Sequence, residues 1–257
     1  HEDKTFLGET GPWNGEDIID IICKQPATAR FIARKMYDFF VADEPPVPSW
    51  RQSQPRDLAA INTLEKAYFD SGYEIKAMLQ ALFTSDFFKS ESVHYAKVKS
   101  PAEVVIGTLR MVGHHTSPQP GLFFVAMEPK YMGMDLLNPP TVEGWHTGAE
   151  WINSGTLIDR INFAAGLLGD TGLPGVKSII GRLMDRSDSI PPEEFVDGCL
   201  DLTGPLTIAE ETRSELVAHV QAGGELRHAT DSERENFSQR TGEMLQFIAT
   251  TSEFQFG

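Results

Sequence analysis

The sequence predicts an all-α protein, a multi-helix array of about ten helices interrupted by one long structured loop rich in Pro, Gly and Trp. Apolar residues recur at helical spacing in segment after segment. Period-two alternation, the mark of a half-buried strand, is nearly absent. Proline, glycine and capping residues punctuate the chain at helix-length intervals. With 257 residues, 40% hydrophobic and 23% charged, the chain can bury a substantial core and reads as a single helical domain over 1–257. A sub-boundary is expected near residue 170.

Residues 1 to 14 are polar with Gly and Pro and read as a lead-in. In NGEDIIDIICKQ, Asn14 is a plausible N-cap, with acidic residues in the first turn where the helix dipole favours them. PATARFIARKMYDFFVA opens on Pro26, which suits a first turn because its missing N–H costs nothing there. Phe31, Met36, Phe39 and Phe40 recur at helical spacing and are expected in the core. Arg30, Arg34 and Lys35 lie between them and are expected to pair with some of the surplus carboxylates. DEPPVPSWRQSQP is a Pro-rich connector. DLAAINTLEKAYFDSG ends at Gly72, a natural C′ residue, and YEIKAMLQALFTSDFF follows.

In KSPAEVVIGTLRMVG, Ser100 caps, Pro101 takes the first position, Glu103 completes a capping box and Gly113 stops the helix. HHTSPQPG is a loop. LFFVAMEPKYMGMDLL predicts one or two short helices interrupted at Pro129. SGTLIDRINFAAGLLG, VKSIIGRLMDRS, PPEEFVDGCLDLTG, IAEETRSELVAHVQAGG and DSERENFSQRTGEMLQFIATTSEF each show helical periodicity. MLQALFTSDFF at 78–88 is similar to MLQFIATTSEFQF at 244–256, with one residue inserted. Either duplication or only a shared need to bury a helix end accounts for that match.

The formal charge of −15 argues against nucleic-acid binding, which needs clustered Lys and Arg. It argues equally against electrostatic docking on anionic lipid. No apolar run approaches the ~20 residues of a membrane span, so no membrane partner is expected. Cys23 and Cys199 fit neither a disulfide framework nor a zinc pattern; buried free thiols are the favoured reading, with a single disulfide as the alternative. No cofactor is expected, since neither a Walker motif nor a glycine fingerprint after a strand is present.

The stretch NPPTVEGWHTGAEW, 138–151, is the candidate site. Pro139 and Pro140 stiffen it, while Gly144 and Gly148 permit backbone angles that other residues avoid. Two readings of Trp145 and Trp151 stay open. An indole face stacks on a sugar ring, with Asn138, His146 and Asn153 at hand for its hydroxyls. Alternatively, both indoles plug the core where a loop crosses helix ends, each N–H bonded to a carbonyl.

The nearby carboxylates are Glu128, Asp135, Glu143, Glu150 and Asp159. Glycoside hydrolysis uses two carboxyl groups roughly 5 to 9.5 Å apart, one protonated and one ionised. Glu143 and Glu150 are the expected catalytic pair, because a tryptophan wall raises a neighbouring carboxyl pKa. Glu143-x-x-His146 and His114-His115 supply metal-ligand types, but Gly144 and Gly148 disfavour the helix that would align them, so no metal is expected.

Several blocks together resemble a known family: KTFLG at 4–8, NGEDIIDII at 14–22, QPATARFIARKMYDFFVADEP at 25–45 and YEIKAMLQALFTSDFF at 73–88. VKSPAEVVIGTLR at 98–110, NPPTVEGW at 138–145, WINSGTL at 151–157 and the closing TSEFQFG extend the likeness in the same order. The family is the bacterial domain of unknown function 1800, and the chain resembles its carboxy-terminal half. That resemblance implies a fragment of a longer, exported parent, hence a periplasmic or secreted location. It also implies a sulfatase-like companion protein as a partner. Two function classes stand as expectations: the preferred one is carbohydrate binding or hydrolysis by a paired-carboxylate acid/base mechanism at the 138–151 loop, resting on the loop's composition, and the alternative is a non-catalytic helical scaffold for the companion, resting on the absence of a strong catalytic motif.

Overall fold

Side-chain caps start half of the described α-helices. The computed structural model describes residues 2–115, 117–118, 120–204 and 206–257. Among them are twelve α-helices, three short 3-10 turns and two small antiparallel strand pairs, so the array is all-α as expected. The expected lead-in and the 114–121 loop include His1, Thr116 and Gln119, which lie outside the described residues. No described helix is long and apolar enough to cross a membrane. The chain divides into two compact units, His1–Lys97 and Val98–Gly257.

The first unit opens with a hairpin, β1 (Lys4–Phe6) paired to β2 (Glu9–Gly11) with Thr5 opposite Thr10. Leu7 and Gly8 both take positive φ, the turn geometry that matches strand twist. Three-residue strands are too short to show alternation, so the sequence read this stretch only as a lead-in. Helix α1 (Gly15–Cys23) starts at a full Asn14–Asp17 capping box. Helix α2 (Pro26–Phe40) begins at Pro26. Helices α3 (Leu58–Asp70) and α4 (Ile75–Thr84) complete the unit, with Gly72 at φ 72° between them.

The buried face of α2 is Ala29, Ala33, Met36 and Tyr37, packed with Ile61 and Leu64 of α3 and Met78 and Leu82 of α4. Of the expected aromatic stripe only Met36 is in the core. Phe31, Phe39 and Phe40 remain largely at the surface, because the buried face of α2 is made by Ala29, Ala33, Met36 and Tyr37 instead.

The Pro-rich connector is pinned rather than loose. Arg34 and Glu44 are both buried, and Glu44 Oε2 accepts from Arg34 Nε at 2.9 Å and Nη2 at 2.6 Å. The guanidinium also donates to the carbonyls of Ser53 and Gln54 and lies over the Trp50 ring. Glu44 Oε1 accepts from the Arg56 amide at 2.7 Å. Arg30 pairs with Glu65. Both arginines therefore find carboxylates, across elements rather than one turn along α2.

The second unit contains α5 (Pro101–Val112), α6 (Leu122–Tyr131), α7 (Ser154–Leu168), α8 (Pro174–Met184), α9 (Pro192–Thr203), α10 (Glu210–Ala222), α11 (Asp231–Thr250) and α12 (Ser252–Gln255). Strands β3 (Ser189–Ile190) and β4 (Leu226–Arg227) pair antiparallel. Helix α5 has the Ser100–Glu103 capping box and the left-handed Gly113 stop read from sequence. Gly175 lets α8 approach α5: any Cβ there would collide with the Met111 carbonyl oxygen.

Val112, Leu168, Val176, Phe195, Phe237 and Leu245 share one core. Residue 170, the expected sub-boundary, falls inside this unit between α7 and α8, whose Leu168 and Val176 both belong to that core. Helix α6 continues through Pro129, which sits buried in its last turn, instead of breaking there. Cys23 is half-buried, Cys199 is buried, and both are free.

Breaking a buried ion pair leaves an uncompensated charge. Glu44→Ala is expected to destabilise the first unit by about 3–5 kcal/mol. Native-state amide exchange should accelerate in α2 and in residues 43–56 while α9 and α11 keep their protection.

Candidate functional site

The 138–151 loop is held by its own polar groups. Asp135 is the anchor: its Oδ2 accepts from Lys130 Nζ at 2.9 Å and from Asn138 Nδ2 at 3.2 Å, and its carbonyl accepts from Trp145 Nε1 at 3.1 Å. The hydrogen bonds from Lys130 and Asn138 hold the Asp135 carboxyl below its ordinary pKa. Thr141 and Gly144 close a tight turn, with Gly144 at φ 108°. A 3-10 turn over Gly148–Trp151 then leads into α7.

The residues expected to bind substrate divide into two groups. Trp151 is buried, and its carbonyl accepts from Thr156 Oγ1 at 2.9 Å. Asn153 Oδ1 accepts from the Gly155 and Thr156 amides, both at 3.0 Å, and so caps α7. Asn138 is engaged with Asp135. These three side chains perform structural work that accounts for their presence. Trp145 is half-buried, its N–H satisfied by a carbonyl, which has the form of the core-plug reading.

Glu143, His146 and Glu150 are exposed. His146 Nδ1 lies 3.4 Å from Glu150 Oε1, and its ring meets Trp151 edge-on at 6.2 Å. Glu143 and Glu150 thus lack the apolar enclosure that an acid/base pair at this loop was expected to have.

A different carboxyl pair is brought together by the fold. Glu128, on α6, is half-buried, and both burial and the nearby charge of Asp159 on α7 raise its pKa. Both were in the initial set of carboxylates, but their proximity depends on packing of α6 against α7. Among the described residues no group of three or more His, Cys, Asp or Glu side chains stands close enough to hold a metal ion.

The feature that sequence reasoning missed is apolar. Phe123 and Phe124 on α6 are each 73% exposed, Leu137 is 94% exposed, and Val142 is fully exposed. Tyr131 and Leu136 are exposed as well. The signal was present in LFFVA, whose apolar residues run consecutively and so surround the helix, leaving some with no core to face. Helices α5 and α6 enclose a cleft of about 360 Å³, lined by Val105, Ile106, Leu109, Leu122, Val125 and Leu136, with Arg110, His114 and His115.

The family described as "Protein of unknown function (DUF1800)" matches the chain over residues 1–256. The chain belongs to the DUF1800 family. Neither the curated proteins nor the solved structures contain a match. Membership therefore gives this DUF1800 chain a lineage without a reaction, and the function has to be argued from its surfaces.

If Asn153 serves the helix and not a ligand, Asn153→Ala lowers stability by about 1 kcal/mol. Trp151→Ala, which empties a buried site, costs about 3–5 kcal/mol. Urea denaturation followed by circular dichroism measures both; a neutral Trp151→Ala would remove its assignment to the core.

Proposed function

We propose that the chain is a non-catalytic helical interaction module that docks a companion protein on α6 and the 136–142 segment. The observation that supports this reading is the exposed group Phe123, Phe124, Leu137 and Val142. Scattered single apolar residues are ordinary at a protein surface, whereas a concentration of large ones marks an interaction site. Acidic groups accompany it: Glu143 and Asp159 are exposed, and the chain carries −15 overall. The fitting partner therefore presents an apolar centre rimmed by Lys and Arg. The sulfatase-like companion implied by the family resemblance is the partner to test first.

In a titration of that companion, Phe124→Ser and Leu137→Ser are each expected to weaken binding by about 2 kcal/mol, the scale of an interface hot spot. A Glu211→Gln control on α10 should bind as the parent does. Sedimentation equilibrium of the chain alone distinguishes self-association. Unchanged affinity in both serine variants would overturn the docking reading.

A second reading, glycoside hydrolysis, is favoured by the Glu128–Asp159 arrangement, one half-buried carboxyl with a raised pKa beside an exposed one. On this reading Glu128 is the general acid and Asp159 the second carboxyl group. Turnover of a chromogenic glycoside panel should vanish in Glu128→Gln and persist in Glu143→Gln.

The raised pKa has a stability consequence independent of either reading. A carboxyl that holds its proton more tightly when folded favours the folded state at low pH, and that contribution is lost as pH rises through the raised value. Glu128→Gln should therefore match the parent's Tm well below pH 4 and exceed it at pH 7. Equal Tm differences at both pH values would contradict the assignment.

A further inference from the structure

The cleft between α5 and α6 has a second chemistry that partner docking does not use. Its walls are aliphatic: Val105, Ile106 and Leu109 from α5 face Leu122 and Val125 from α6. Its volume, about 360 Å³, falls in the range of small-molecule sites. Its polar groups are Arg110, His114 and His115, all from the carboxy-terminal end of α5 and the residues that follow. The rings of His114 and His115 lie 3.9 Å apart, so both imidazoles occupy one place.

Arg110 is the informative residue. In a chain with 37 acidic and 22 basic residues, Arg30, Arg34, Arg186 and Arg213 each reach a carboxylate. Among the described residues no carboxylate stands within ion-pair distance of Arg110, and no side-chain hydrogen bond uses its donors. A planar guanidinium with free donors at an apolar cleft is matched to a carboxylate, which it can grip through two parallel hydrogen bonds. The amino terminus of α6, which also borders the cleft at Leu122, has no side-chain cap, leaving backbone N–H groups of the same polarity.

We infer that this cleft binds a small amphipathic carboxylate, with its apolar chain between α5 and α6 and its anionic head on Arg110 beside His114. Phe123, Phe124 and Leu137 do not line the cleft, although Leu136 borders it, so the site adjoins the surface assigned to a protein partner and is distinguished from it by the residues that line each.

Isothermal titration of the full chain with decanoate, and with decanol as a neutral counterpart, tests the inference. Decanoate is expected to bind more tightly than decanol. Arg110→Gln should weaken decanoate by about tenfold or more, the scale of a lost hydrogen bond to a charged group, and leave decanol unchanged. Ala126→Phe fills the cleft from a surface position and should weaken both ligands. Phe124→Ser should weaken neither, so failure of the docking reading and failure of this one are separable. Arg110 is exposed and its substitution disturbs no core contact; a circular dichroism spectrum matching the parent's establishes that the variant is folded. Decanoate binding that is no tighter than decanol, or that is unchanged in Arg110→Gln, would overturn the inference.

Discussion

A buried cation organises the second unit. Arg160 on α7 is fully buried, and burial lowers its pKa to about 10 against the opposing influence of Glu103. Removing a guanidinium from water is tolerable only where fixed acceptors replace the lost hydration. Arg160 Nη2 donates to the Lys99 carbonyl at 2.5 Å, and Nε donates to Gln255 Oε1 at 3.2 Å. Lys99 lies next to Ser100, the N-cap of α5, and Gln255 ends α12. One side chain thus ties the two ends of the unit to its central helix.

Lys99 reinforces the closure by donating to the Phe254 carbonyl at 2.7 Å, while its amide donates to the Gln255 carbonyl. Everything proposed for α5, α6 and the loop depends on that frame, because α7 is the element against which α5 and α6 both pack. Among the described residues Arg160 Nη1 has no partner. An orphan donor at a fully desolvated charge raises the importance of the acceptors that remain.

The end of that frame has a counterpart in the first unit. Ser85 follows α4 as Thr251 follows α11, and both leave the helix into extended backbone, at φ −72°, ψ 156° and φ −69°, ψ 151°. Each hydroxyl donates back to the carbonyl three residues earlier, Leu82 or Ile248. Each also accepts from the amide three residues later, Phe88 or Phe254. Counted from Met78 and Met244, these turn residues fall at the same positions, without the insertion that the sequence match had. The shared physical requirement is to end a helix while carrying an aromatic ring back toward the core. This hydroxyl turn satisfies it at both places, whether or not the segments share a common origin.

Legibility followed the range of the interactions. Ser100–Glu103 and Pro26 act within one turn, so their spacing in sequence is their spacing in space, and both were readable. The core face of α2 was not readable from its phenylalanines, because which side of a helix is buried depends on its neighbours. Alanines permitted the closest approach there. Loop 138–151 was recognisable as rigid, and its glycines do take positive φ. The work of its polar residues was not recognisable. Asn153 resembles a ligand-binding amide until Ser154 proves to begin α7, and Asn138 until Asp135 is seen to accept from it. Glu128 and Asp159 lie on different helices, so no local pattern could pair them.

The apolar face of α6 poses a final physical question, since Phe123 and Phe124 gain little from folding while they face water. Such a face ordinarily promotes self-association. The surrounding charge offers a counterweight: a chain at −15 repels its own copies over about a Debye length, 8 Å at physiological salt. That repulsion acts between like-charged copies and becomes attraction toward a basic partner. The same charge can therefore keep the uncovered face soluble and select what covers it. This couples the acidic composition, which alone identifies nothing, to a surface where large apolar side chains are left without a core.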